Sequence, residues 1–139
     1  MLKNFLFKTT PDSSFINEIS MLIFRVSAGL MMAFLHGRGK IPPSEKFISG
    51  VEALNFPLPT IFAWSAGISE FVGGLLLALG LFTRPSALLI ACTMIVAAFG
   101  RHINDPWSVK ELSLIYLVIS LVFLTRGSGK FSIDNLIKQ

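Results

Sequence analysis

Charge is rare along this chain, and its placement divides the sequence into segments. The run "ISMLIFRVSAGLMMAFLHG", Ile19 to Gly37, is broken by Arg25, and Leu58 to Thr83 is broken by Glu70. Pro85 to Gly100 lies between Arg84 and Arg101, and Leu112 to Thr125 between Glu111 and Arg126. A membrane-spanning helix needs about 20 apolar residues. The first two runs reach that length. The last two reach it once flanking Arg and Lys side chains snorkel to the interface, where Trp64 and Trp107 also suit an aromatic belt. None of the four runs has a polar face, which excludes a water-soluble bundle. The expected spans are 18–37, 58–83, 85–101 and 109–126.

The breakers agree with this division. Gly37 and Gly39 stop the first helix, and "IPPS" forbids its continuation. Arg84-Pro85 separates the second and third helices with almost no loop, which forces an antiparallel hairpin bounded by Arg84. "RHINDPW" and "RGSGK" close the third and fourth. Between the first two spans, Ser44 can cap a short helix that carries Phe47, Val51 and Leu54 on one face. That stretch reads as an amphipathic segment lying on the membrane. Residues 129–139 form a C-terminal surface segment. The fold class is therefore all-α: an integral membrane four-helix bundle in a single domain, with a short amphipathic segment between helices 1 and 2.

Composition sharpens the picture. Of 139 residues 53% are hydrophobic and 14% charged, and the mean hydropathy is +0.69; ordinary globular chains carry about 25% charged residues. The net charge of +4 and pI near 9.6 come from basic residues scattered between apolar runs, without the patch that nucleic acid needs. Anionic lipid head groups are their natural counterpart. Cys92 is the single cysteine, read as a small packing residue, so disulfide or dithiol chemistry within the chain is excluded. The stretch "MLKNFLFKTTPDSS" has an apolar patch too short for a cleavable signal. An even number of spans puts both termini on one side, with Lys3, Lys8, Arg84, Arg126, Lys130 and Lys138; Arg38, Lys40, Lys46, Arg101 and Lys110 lie on the other. That slight excess places the termini in the cytoplasm.

The intramembrane charges mark candidate chemistry. Arg25, Gly29, Met32 and His36 share a helix face, with Lys40 one turn beyond; Ala63, Ala66, Glu70, Gly74 and Leu77 share another. Small residues on both faces predict helix–helix contact, so both charges point into the bundle. With Gly37 level with Ala66, His36 leans toward Glu70 and becomes its expected partner, Lys40 lies above them, and Arg25 bonds to inner helix ends in a structural role. His36, Lys40, Glu70, His102 and Glu111 would then line one pocket open to the outer face, binding a ligand or relaying protons. The plainer alternatives are solvated loop-edge residues for His102 and Glu111, an interfacial side chain for His36, and a protonated carboxyl bonding across helices for Glu70. An apolar site with His and Glu suits quinone reduction, which takes up protons with electrons. No metal-ligand spacing, nucleophile set or phosphate loop is present, and "VGGLLLALG" has helix-packing glycines, not a nucleotide fingerprint.

The stretches "RVSAGLMMAFLHGRGK", "EFVGGLLLALGLFTRPSALLIACTMIVAAFGRH", "KELSLIYLVISLVFL" and "GSGKFSID" resemble the DoxX family of small bacterial membrane proteins. The resemblance runs from about Phe24 to Asp134, with Ser128 where relatives often carry proline. It implies a four-helix bundle in the bacterial inner membrane and an association with quinone-linked oxidoreductases; the family's namesakes accompany a thiosulfate:quinone oxidoreductase. The family is also distantly similar to vitamin K epoxide reductases, whose cysteines this chain lacks. The implied function is a membrane subunit of quinone-linked redox chemistry, not catalytic alone, with a partner subunit or a second copy. The rival readings are a non-catalytic scaffold or assembly factor docking a protein through its small-residue faces, and a small-molecule transporter.

Overall fold

The structure, a computed structural model, describes residues 14–137. Lys3, Lys8, Lys138 and the N-terminal stretch weighed as a signal lie outside them. The described residues are 80% helical, and four of their helices are long and apolar enough to cross a membrane. The first, α1 (Phe15–Met31), starts where the Ser14 hydroxyl accepts a hydrogen bond from the Asn17 N–H at 3.2 Å. It does not stop at Gly37. It loosens into i→i+5 turns over Met32–Gly37 and then tightens into a 3₁₀ turn over Arg38–Lys40. Pro42 and Pro43 follow. The short α2 (Glu45–Glu52) is capped by Ser44, which accepts from the Phe47 N–H at 3.3 Å.

Next comes α3 (Pro59–Leu79), with proline in its first turn and Gly80 beyond its end at φ +66°. The turn to α4 (Thr83–Ile95) is Gly80–Phe82, so Arg84 and Pro85 lie inside the first turn of α4 and not between the helices. Like α1, α4 ends in i→i+5 turns, over Val96–Arg101. Last are α5 (Trp107–Arg126) and a short α6 (Ile133–Ile137).

Helix α1 packs on α3, α3 on α4 and α4 on α5. Met32, Leu77, Ala87, Ile90, Met94, Tyr116 and Phe123 form the core. The outward faces are apolar as well: Ile23, Leu35, Leu88 and Val118 are all exposed. A surface this apolar around helices of that length suits the lipid bilayer, and the protein is a multi-pass membrane protein.

Backbones meet along the α1–α3 seam. A Cβ on Gly29 would lie 2.6 Å from Ala78 N and Gly74 O, and one on Gly74 would lie 2.8 Å from Ala33 N and Gly29 O. A side chain at Gly37 would run into the backbone of Glu70 and Phe71. The small-residue faces are thus spent inside the bundle and cannot serve as the docking surface expected of a scaffold.

The opposite end is tied by charge. Arg25 is fully buried and donates to the carbonyls of Ser128 and Phe131, the latter at 2.7 Å. Glu18 accepts from the Lys130 N–H at 2.7 Å. Asp134 accepts from the Phe82 and Thr83 N–H groups at 2.8 and 2.9 Å, capping α4 from the far end of the chain. Arg84 donates to the Thr125 carbonyl at 3.2 Å, at the end of α5.

Candidate functional site

A cavity of about 600 Å³ opens between α2, α3 and the end of α4. Its walls are mostly apolar. Phe47 and Val51 of α2 and Leu54 in the turn after it form one side, so the apolar face expected to lie on the membrane instead turns onto the bundle, and Val51 is buried.

Glu70 sits in this cavity with 1% of its surface exposed. Lys40 Nζ lies 2.5 Å from Glu70 Oε1 and 2.6 Å from Oε2, holding both carboxylate oxygens. The Lys40 side chain keeps a third of its surface open to the cavity, and its ammonium lies 5.5 Å from the centre of the Phe47 ring. A buried carboxylate needs such compensation, because an unpaired charge in an apolar bundle costs several kcal/mol.

Glycines bring the pair together. Gly37 packs against Glu70 and Phe71, and a Cβ on Gly67 would lie 2.7 Å from the Lys40 carbonyl. Only bare backbone lets the end of α1 lie this close to α3.

The expected Glu70–His36 pair does not form. His36 packs edge-on against Tyr116, with ring centres 5.5 Å apart, and does not line the cavity. Two physical differences account for this. Gly37 lies level with Glu70 and not with Ala66, a register shift of one helical turn. The i→i+5 turns over Met32–Gly37 also advance less per residue than an α-helix, so the phase carried forward from Gly29 no longer holds at His36.

Glu111 also stays apart. It is exposed on the first turns of α5, beside Trp107 and Ile115 in a separate apolar groove. Of the five residues expected to share one pocket, Lys40, Glu70 and His102 line it together.

Other polar groups join them. Thr93 Oγ1 lies 3.0 Å from Ser69 Oγ, bridging α4 and α3 inside the cavity. His102 Nδ1 lies 2.7 Å from Asp105 Oδ2, across a turn that also holds the Asp105 N–H on the His102 carbonyl at 3.1 Å. Arg101 and Lys46 also line the cavity, and Cys92 is exposed on its α4 wall. Ser69 and Thr93 carry no sequence signal, being ordinary residues in apolar runs. Lys46 and Arg101 stand out only once α2 folds over α4.

The fold and site define a four-span helical membrane protein with a buried, bidentate ion pair in an apolar cavity. The family model described as DoxX matches residues 20–103. The chain belongs to the DoxX family. It is 32% identical to an "Uncharacterized protein" of Haemophilus influenzae over 112 residues, 75% of this chain and 81% of that one. It is 30% identical to a Bacillus subtilis protein named "Putative oxidoreductase CatD" over 118 residues, 84% and 86% of the two chains. It is 28% identical to "Inner membrane protein YqjF" of Escherichia coli over 131 residues, 89% and 96% of the two chains. No solved structure matches the chain.

Proposed function

We propose that the protein is a membrane subunit of an oxidoreductase system in the bacterial inner membrane, and that the cavity between α2, α3 and α4 binds a quinone-like ligand. The observation that carries this reading is the Lys40–Glu70 pair, an ammonium held on a carboxylate that is 1% exposed, at the inner end of an apolar cavity of about 600 Å³. The names borne by the Bacillus subtilis and Escherichia coli relatives support the setting.

The donor set fits such a ligand. A quinone ring presents carbonyl acceptors and apolar faces. Lys40 and the Ser69 hydroxyl, which accepts from Thr93, offer donors, and Phe47, Phe56 and Phe62 offer apolar walls. When bound, a quinone supplies redox chemistry that takes up protons with electrons. Lys40 would hold a carbonyl oxygen of a bound quinone, Glu70 would keep the ammonium in place and carry a proton within the bundle, and His102, oriented by Asp105, would pass protons to and from water at the mouth. With both termini in the cytoplasm the cavity opens outward.

The test is saturable binding of decylubiquinone to the purified protein. Glu70→Gln and Lys40→Met are expected to weaken it by about tenfold or more, the scale of a lost charge-assisted hydrogen bond. His36→Ala is expected to leave it unchanged. Wild-type affinity in both Glu70→Gln and Lys40→Met removes the site assignment.

A further inference from the structure

Two cations converge at the mouth of the cavity without an anion between them. Arg101 ends the third span, and its Nε lies beside Gly50 of α2, where a Cβ would sit 3.9 Å away. Lys46 is one helical turn earlier on α2, at the i,i+4 spacing that makes side chains neighbours. Both are exposed and both line the cavity, and among the described residues neither side chain makes an ion pair or a hydrogen bond. Of the acids in or beside the cavity, Glu70 holds Lys40 and Asp105 holds His102, and the α2 carboxylates Glu45 and Glu52 are exposed and do not line it. Two like charges brought together this way repel unless an anion joins them.

The surface beside them is apolar and open. Phe62, Leu89 and Val96 line the same cavity yet are exposed, so the mouth continues sideways into the lipid-facing gap between α3 and α4. Cys92 is exposed in that gap. Cations at the end of a span stand at the level of lipid head groups, with the apolar gap at acyl-chain depth.

We propose that an anionic phospholipid seats here, its phosphate between Lys46 and Arg101 and one acyl chain in the gap over Leu89, Cys92 and Val96. The seat goes beyond the redox reading and does not depend on what fills the inner end of the cavity.

Cys92, the single cysteine, reports occupancy directly. The whole protein is placed in nanodiscs of phosphatidylcholine with or without phosphatidylglycerol, and alkylation of Cys92 by N-ethylmaleimide is timed. In phosphatidylglycerol alkylation slows several-fold, and native mass spectrometry of the released protein shows an enrichment of that lipid of about thirtyfold, the scale of two near-surface cations. Both effects vanish in the Lys46→Gln/Arg101→Gln double variant and persist in Arg38→Gln, an exposed cation outside the cavity. Equal alkylation in the two lipids overturns the seat. So does a slowing that survives the double variant, or one that Arg38→Gln also removes, since either is diffuse surface attraction. Protection by oleate in phosphatidylcholine discs, without protection by phosphatidylglycerol, overturns it in favour of a free fatty acid. Glu70→Gln is expected to keep the lipid preference while losing decylubiquinone binding, so the two proposals fail separately.

Discussion

Among the described residues the buried charges, Glu70 and Arg25, are both answered, by partners that differ in kind. Glu70 is met by a single flexible ammonium that retains contact with the cavity. Arg25 is met by backbone carbonyls of Ser128 and Phe131 and is closed off. The first arrangement leaves a group free to engage a ligand; the second is a fastening. A buried pair broken on one side leaves an uncompensated charge, at a cost of about 3–5 kcal/mol, whereas removal of both partners costs less. Lys40→Met is therefore expected to destabilise the folded protein more than Lys40→Met/Glu70→Gln does. Thermal melts in detergent check the order; a double variant less stable than Lys40→Met alone would show that the two side chains do not act as a pair.

Among elements, the α1–α3 seam and the α4 cap set the geometry. The seam is made of backbone contacts at Gly29, Gly37 and Gly74, and its closeness places Lys40 beside Glu70. Gly29→Leu or Gly74→Leu must push the helices apart, which costs overpacking strain of about 1–3 kcal/mol or more and draws Lys40 away from Glu70. Loss of the folded monomer, or loss of decylubiquinone binding in whatever folds, is the expected outcome by size exclusion and binding assay.

At the other end Asp134 caps α4. Burial alone would raise its carboxyl. The backbone N–H groups of Thr83 and Phe82 and the Arg25 guanidinium outweigh that and hold it below the usual carboxylate range. A depressed carboxylate contributes stability above its unfolded value, about 3.9, and loses it as pH falls through the folded value. Hydrogen exchange at Phe82 and Thr83 is therefore expected to accelerate, beyond its intrinsic rate, as pH drops below about 4. In Asp134→Asn those amides should already be poorly protected at neutral pH, with no such acid transition.

For the molecule as a whole, one end is fastened and the other is open. The end holding Arg25, Glu18 and Asp134 gathers the start of α1, the α3–α4 turn and the C-terminal segment through hydrogen bonds. Phe15 and Phe131 also meet there, with ring centres 6.1 Å apart. The other end carries the cavity, the roofing helix α2 and the His102–Asp105 turn. This polarity agrees with the proposed ligand site, which lies at the open end while the other end holds the bundle together. The proposed cytoplasmic placement of the termini predicts that alkaline phosphatase fused after Gln139 is inactive and phosphatase inserted after Asn104 active. The reverse pattern would put the cavity mouth on the cytoplasmic side.

The apolar runs by themselves determined the four spans, the membrane environment and the helical class, because in lipid an apolar run of that length must satisfy its backbone as a helix. They also marked Arg25 and Glu70 as pointing inward, since charge on a small-residue face cannot face lipid. Ser44 announced α2 as a cap, a signal confined to four residues. What pairs with what was decided by tertiary structure. The partner of Glu70 depended on a one-turn register and on the looser turns of Met32–Gly37, and helical phase projected from Gly29 led to His36 and not Lys40. The cap on α4 came from Asp134, 51 residues beyond Thr83, and the cavity from the folding of α2 over the ends of α3 and α4. Periodicity reports which face of a helix is apolar. It does not report how far one helix slides along another, and in this bundle glycine contacts set that slide and with it the site.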